Sequence, residues 1–101
     1  MATLWGLGDN DLRALERQVM ENPLAGKVMR NTGGVRKARF APPSRRSGKS
    51  AAFRVCYLHY PAHELVFFVL IFPKSEQPSL SAEQERACRA LSREIKDTLD
   101  G

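Results

Sequence analysis

Apolar residues near the start of the chain recur at spacings of three and four, the period of an amphipathic helix. The positions concerned are Leu12, Leu15 and Val19. They predict a helix over residues 11–21, capped by Asp9 or Asn10. The pair Asn22-Pro23 ends this helix and could begin a short second turn through residues 27–29.

The same period returns near the end of the chain. Its apolar positions are Ala87, Cys88, Leu91, Ile95 and Leu99. Ser81 followed by Gln84 is a capping box, and Glu83 and Glu85 suit the positive end of a helix dipole. We therefore predict a C-terminal helix that begins after Ser81, runs to about residue 98 and buries these apolar residues.

Between the two helices the period changes to that of β-strands, after a turn predicted at residues 31–34. Strands are predicted at residues 35–40, 51–59 and 65–72, with a hairpin connecting the last two. The third strand is apolar throughout, so we expect it to be buried on both faces and central in the sheet. This order of elements predicts one α+β domain over residues 1–101, with an antiparallel sheet of three to four strands.

Positive charge is concentrated in the middle of the sequence. The net charge is +5, from 16 Lys and Arg against 11 Asp and Glu. Residues 22–63 hold nine basic residues and no acidic one, whereas the remainder has a net charge of 7 − 11 = −4. Solvated surfaces normally mix the two signs. The segregation therefore predicts a surface for a polyanion such as nucleic acid, the plain alternative being charge that only maintains solubility.

Further features of the sequence indicate in which compartment the protein is located. Cys56 and Cys88 are far apart in apolar segments, which favours buried thiols in a reducing compartment over a disulfide or metal framework. Residues 1–7 do not show the pattern of a secretory leader, and the longest apolar run is far short of the roughly 20 residues that span a bilayer. We expect a cytoplasmic protein with no cofactor, no metal and no membrane partner.

Arg54 is the most informative candidate residue, because its strand is otherwise apolar on both faces. A charge in such a position is costly unless it is paired or faces a polar cleft. One interpretation is a salt bridge to Glu64 or to an acid on the C-terminal helix. The other is a guanidinium directed at phosphate, whose oxygens match its bidentate fork.

Further cations accompany Arg54. Lys37 and Arg39 are expected on the strand face opposite Phe40, although such charges could also simply protect an edge strand from aggregation. Lys74 follows the last predicted strand. The residues that we expect to bind an RNA backbone are Arg36, Arg45, Arg46 and Lys49.

The sequence contains no paired-carboxylate site, no Ser-His-Asp arrangement and no metal-ligand spacing. His59 and His63 flank the hairpin and are more readily interpreted as surface imidazoles than as general bases. An enzyme of this composition would work mainly with lysine and arginine. That chemistry suits RNA, because attack of a ribose 2′-hydroxyl on phosphate builds negative charge that clustered guanidinium groups stabilise.

Several motifs occur in the order found in the RelE-like toxins of bacterial type II toxin–antitoxin systems. They are GGVRKARF, a loop rich in Pro, Ser and Arg, GKSAAFRVCYL, an apolar strand closing in FPKSE, and LSAEQE. Over residues 9–95 the chain resembles this family, and most narrowly its HigB-like branch. The resemblance implies a microbial-ribonuclease-like fold and a ribosome-dependent mRNA endoribonuclease that inhibits translation and is neutralised by a cognate antitoxin.

The resemblance also implies residue roles. The residues that match the family's catalytic and RNA-positioning cations are Lys37, Arg39, Arg54 and Lys74. Lys49 matches the lysine at the end of the family's glycine-lysine loop, and Phe72 stands where a tyrosine is frequent, which leaves a weakened activity open. Two alternatives remain: a ParE-like toxin that poisons DNA gyrase without cutting RNA, and a nucleic-acid-binding module without catalysis.

Overall fold

The computed structural model describes residues 6–44, 52–77 and 79–101, and within them the chain has the predicted α+β architecture. Its elements are α1 (Asp9–Glu21), β1 (Lys27–Val28), β2 (Arg36–Phe40), β3 (Phe53–Tyr60), a 3-10 turn (Pro61–His63), β4 (Leu65–Pro73) and α2 (Ala82–Asp100). The strands form one antiparallel sheet in the order β1-β2-β3-β4. In the described ranges, neither helix is long and apolar enough to cross a membrane.

Helix α1 begins two residues earlier than predicted, and its N-cap is Gly8 rather than Asp9 or Asn10. The reason is Asp11, whose buried carboxylate accepts a hydrogen bond from the Gly8 amide at 3.1 Å. The same carboxylate accepts from the Ser44 amide at 3.0 Å and from its hydroxyl at 2.7 Å. One acidic side chain thus caps the helix and ties it to the segment that follows β2.

The segment after α1 is a strand, so the prediction of a helical turn at residues 27–29 was wrong. Strand β1 pairs with β2, and the Met29 amide donates to the Val35 carbonyl at 2.9 Å. The connection before β1 is held by Tyr57, whose hydroxyl donates to the Pro23 carbonyl at 2.6 Å and accepts from the Gly26 amide at 3.2 Å. These contacts come from a strand 31 to 34 residues away in sequence, so no local pattern could reveal them.

Strand β4 lies at the edge of the sheet, which corrects the expectation that the apolar run at residues 65–72 is central. Phe67 and Phe68 are each 38% exposed, whereas β3 is buried along most of its length. An apolar run shows how much surface a strand offers for burial. It does not show whether a second strand lies beside it, and the described residues place a neighbour for β4 on one side only.

Each face of the sheet carries one hydrophobic core and one helix. Leu15 and Val19 of α1 pack against Phe53, Val55 and Tyr57, which alternate along β3. The other face packs against α2, which buries Cys88 and Ser92 and half-buries three other predicted positions. Ala87 was also predicted to be buried but is exposed. Ser92 is buried because its hydroxyl donates to the Gly33 carbonyl at 2.7 Å, a contact that apolar periodicity does not register.

Candidate nucleic-acid interface

The alternation of side chains along β2 places its cations on both faces of the sheet. Ala38 and Phe40 share one face, as predicted, and pack into the core under α1. Lys37 and Arg39, at the alternate positions, therefore lie on the face that carries α2. Arg39 is exposed and Lys37 is half-buried. These two cations belong to the same face as Arg54, since Arg39 and Arg54 are directly paired across the sheet.

The strand register brings four cations into two cross-strand pairs. Arg39 on β2 is opposite Arg54 on β3. Lys37 on β2 is opposite Lys27 on β1. Directly opposed residues have side chains on the same face, and like charges in that arrangement destabilise a sheet by up to about 1 kcal/mol per pair. We call this set of four residues, Lys27, Lys37, Arg39 and Arg54, the cationic track.

Arg54 has the most demanding environment of the four. It is flanked in the sheet by Arg39 on one side and by the buried Phe72 on the other. Its Nε atom is buried and has no hydrogen-bond partner in the described part of the chain. An unpaired buried guanidinium nitrogen is costly, so Arg54 lowers the stability of the free protein.

Among the described residues, no carboxylate lies within 4 Å of a cation of the track. All eleven acidic residues of the chain lie within the described ranges. Among those ranges, the one contact within 4 Å between a basic and an acidic side chain joins His63 Nε2 to Asp100 Oδ1 at 3.9 Å, at the hairpin end of the sheet. The interpretation of Arg54 as a salt-bridge partner of Glu64 or of an acid on α2 was therefore wrong. The same pair shows that His63 is at the hairpin, away from Arg54 at the start of β3.

The pKa of Cys56 shows the electrostatic environment at the base of the track. It is opposite Lys37 in the register and two residues from Arg54 on the same face. Burial raises the pKa of the Cys56 thiol to about 11, and Cys88 adds to the rise, while Lys37 and Arg54 oppose it. The thiol is therefore protonated and neutral near pH 7, and the floor of the track carries no negative charge there.

The remaining predicted residues are distributed more widely. Arg36 alternates onto the opposite face and donates to the Gly26 carbonyl at 2.7 Å, so the structure separates it from the track. Lys74 is exposed, and its amide donates to the Ala52 carbonyl at 3.1 Å, which places it beside the start of β3. Predicted residues outside the described ranges are Arg45, Arg46 and Lys49. Their RNA-binding role, like that of Arg36, stays a prediction.

Sequence reasoning missed Lys27 as a member of the site. It was counted in the basic segment but assigned to a helical turn, because the two-residue strand β1 is too short to show alternation. Only the pairing of Lys27 with Lys37 across the sheet places Lys27 in the track.

A comparison with protein-family models found none that matches this sequence. What the geometry defines is an α+β protein with a row of cations across three strands of one sheet face, none of them in an ion pair with a described carboxylate.

Proposed function

We propose that this protein is a cytoplasmic toxin of the RelE/HigB type, an endoribonuclease that cleaves messenger RNA on the ribosome and so inhibits translation. A cognate antitoxin would be its protein partner. The observation that carries the proposal is the cationic track: two directly opposed like-charge pairs, without a carboxylate within 4 Å of them among the described residues. Such an arrangement is unfavourable in the free protein and becomes favourable when a polyanion supplies the missing charge.

The track fits the chemistry of RNA cleavage. In-line attack forms a bond between the ribose 2′-oxygen and phosphorus as the 2′-hydroxyl gives up its proton. The bond from phosphorus to the 5′-oxygen breaks, and that oxygen takes up a proton, which leaves a 2′,3′-cyclic phosphate and a 5′-hydroxyl. Negative charge on the phosphate oxygens increases on the way to the transition state. Arg39 and Arg54, directly opposite each other, can stabilise that charge together with bidentate hydrogen bonds. Lys37, two residues from Arg39 on the same face, is the adjacent group available for proton transfer.

Phe72 adds a feature to this arrangement. It is opposite Arg54 and only 4% exposed, and it provides an apolar wall without a hydroxyl. A phosphate at Arg54 would thus lie beside the apolar core to which Phe72 belongs, and the low dielectric there strengthens the electrostatic interaction. A hydroxyl at this position would offer another group for proton transfer, so Phe72→Tyr would be expected to raise the rate of cleavage.

The test replaces Arg54 by methionine, which has a similar length and no charge. Because the substitution removes an unpaired buried cation and one partner of a like-charge pair, we expect the free energy of unfolding to stay constant or rise by about 1 kcal/mol. Translation arrest and mRNA cleavage in a ribosome-containing extract should be lost. Activity lost without a loss of stability separates a functional role from a structural one.

Arg13→Met is the matched control, since Arg13 is exposed on α1, the helix on the opposite face of the sheet. It should keep wild-type arrest. Undiminished arrest by the Arg54→Met protein would refute the assignment of Arg54. Intact mRNA together with DNA damage in cells that express the wild-type protein would instead indicate a gyrase poison, and salt-dependent RNA binding without cleavage would indicate a binding module.

A further inference from the structure

The cationic track ends in a cleft at the β1 edge of the sheet. The cleft has a volume of about 330 Å³. Its lining residues are Lys27, Val28, Met29, Arg30, Lys37, Ser79, Leu80 and Glu85. One wall is formed by β1 and the residues after it, and the other by the start of α2 and the residues before it. The cleft is thus built from the same lysine pair that forms one end of the track.

The composition of the cleft suits a nucleotide. Met29 and Leu80 are half-buried members of the core on this face and supply an apolar floor on which a planar base can lie. Lys27, Lys37 and Arg30 supply positive charge for the flanking phosphates. The volume lies at the lower end of the roughly 300–1,000 Å³ range of small-ligand sites, which is appropriate for a single base.

Glu85 is the one acidic residue in this lining. Its carboxylate has no ion pair within 4 Å among the described residues, although three cations line the same cleft. An ionised carboxylate only accepts hydrogen bonds. Guanine presents two adjacent N–H donors on its Watson–Crick edge, whereas uracil presents one. A free carboxylate in a base-sized cleft therefore discriminates between these bases.

We propose that this cleft binds one base of single-stranded RNA next to the cationic track, and that Glu85 selects guanine. The proposal rests on the proposed function in that it takes RNA as the ligand, but it requires binding only, not cleavage. The cations of the cleft interact with backbone phosphates whatever the base, so affinity and base preference are assigned to different residues. That separation makes the two contributions measurable in one assay.

The assay measures equilibrium binding of fluorescent six-nucleotide RNAs that differ only in one central base, guanine or uracil. The RNAs carry 2′-O-methyl groups, so that they cannot be cut during the measurement. Wild-type protein should bind the guanine oligonucleotide about tenfold more tightly, the discrimination expected of one good bidentate pair. Glu85→Gln should remove most of this preference. Glu83→Gln is the matched control, since Glu83 is in the same helical turn but outside the cleft, and should retain it.

A second pair of variants tests the cations. Lys27→Gln should weaken binding of both oligonucleotides equally and reduce the salt dependence by about one phosphate contact. Lys96→Gln, an exposed lysine near the other end of α2, should not. Equal affinity of the wild-type protein for the two oligonucleotides, or an unchanged guanine preference in Glu85→Gln, would overturn the proposal. Guanine-selective binding by a protein that never cuts mRNA would refute the proposed function and leave the cleft assignment standing.

Discussion

Two tyrosines on β3 permit a test of how the β1 end of the interface is held in place. Tyr57 and Tyr60 both have buried hydroxyl groups, but only that of Tyr57 is hydrogen-bonded among the described residues. The Tyr57 hydroxyl connects the Pro23 carbonyl and the Gly26 amide, directly before Lys27. The perturbation is Tyr57→Phe, which removes this one oxygen and preserves the ring.

The magnitude follows from the two contacts. A typical hydrogen bond contributes about 1 kcal/mol net, and a buried donor left without a partner costs about 1–3 kcal/mol. Gly26 is buried, so its amide cannot readily turn to water, whereas Pro23 is only half-buried and its carbonyl can be hydrated. We therefore expect Tyr57→Phe to lower the free energy of unfolding by about 2 kcal/mol, or Tm by roughly 10 °C for a domain of this size.

Tyr60→Phe is the matched control. Its hydroxyl is buried without a partner in the described ranges, so its removal should leave stability unchanged or raise it by about 1 kcal/mol. Urea unfolding gives both changes, and hydrogen exchange should show the Gly26 amide losing protection in Tyr57→Phe alone. Equal destabilisation by the two substitutions would refute the reasoning, because a hydroxyl with two partners would then contribute no more than one without a partner.

Three further substitutions test the pH dependence and the backbone. The pKa of Cys56 is about 11 in the folded protein against an ordinary value of 9.0, so the folded state holds the proton more tightly. Stability from this thiol should be full below pH 9 and fall by about 2 kcal/mol as the pH rises to 11, a decline that Cys56→Ala should reduce in pH-dependent urea unfolding. Gly33 has φ +77°, and a Cβ there would lie 2.9 Å from the Ser92 Cβ, whereas Gly34 has φ +103° and open space. Gly33→Ala should therefore destabilise by about 2 kcal/mol or more and Gly34→Ala by about 1 kcal/mol, and equal thermal shifts would contradict the predicted clash.

The proposed role of Arg54 would set function against stability in a small domain. A guanidinium beside Arg39, with a buried nitrogen that lacks a partner, is a position at which an apolar residue would stabilise the free protein. Active sites commonly keep such unfavourable groups because the ligand, not the protein, completes them. We expect the wild-type protein to gain thermal stability when a short RNA is added, and the Arg54→Met protein to gain less.

Much of the architecture was accessible from local patterns in the sequence. The apolar period located α1, and the Ser81 capping box located the start of α2. Alternation along β2 placed Lys37 and Arg39 opposite Phe40. These predictions succeed because helix and strand periods depend on neighbours within a few residues, and the choice of face depends only on parity along one strand.

The tertiary structure decided which residues meet. Whether β4 is central or at the edge depends on what lies beside it, and an apolar run such as residues 65–72 measures only the surface available for burial. The pairing of Arg39 with Arg54 and of Lys27 with Lys37 depends on the register between strands, to which distant contacts such as those of Tyr57 contribute. By itself the sequence determined that Lys37 and Arg39 share one face of β2. Only the folded sheet decided that they oppose further cations there, because the register of separate strands depends on contacts that local patterns do not contain.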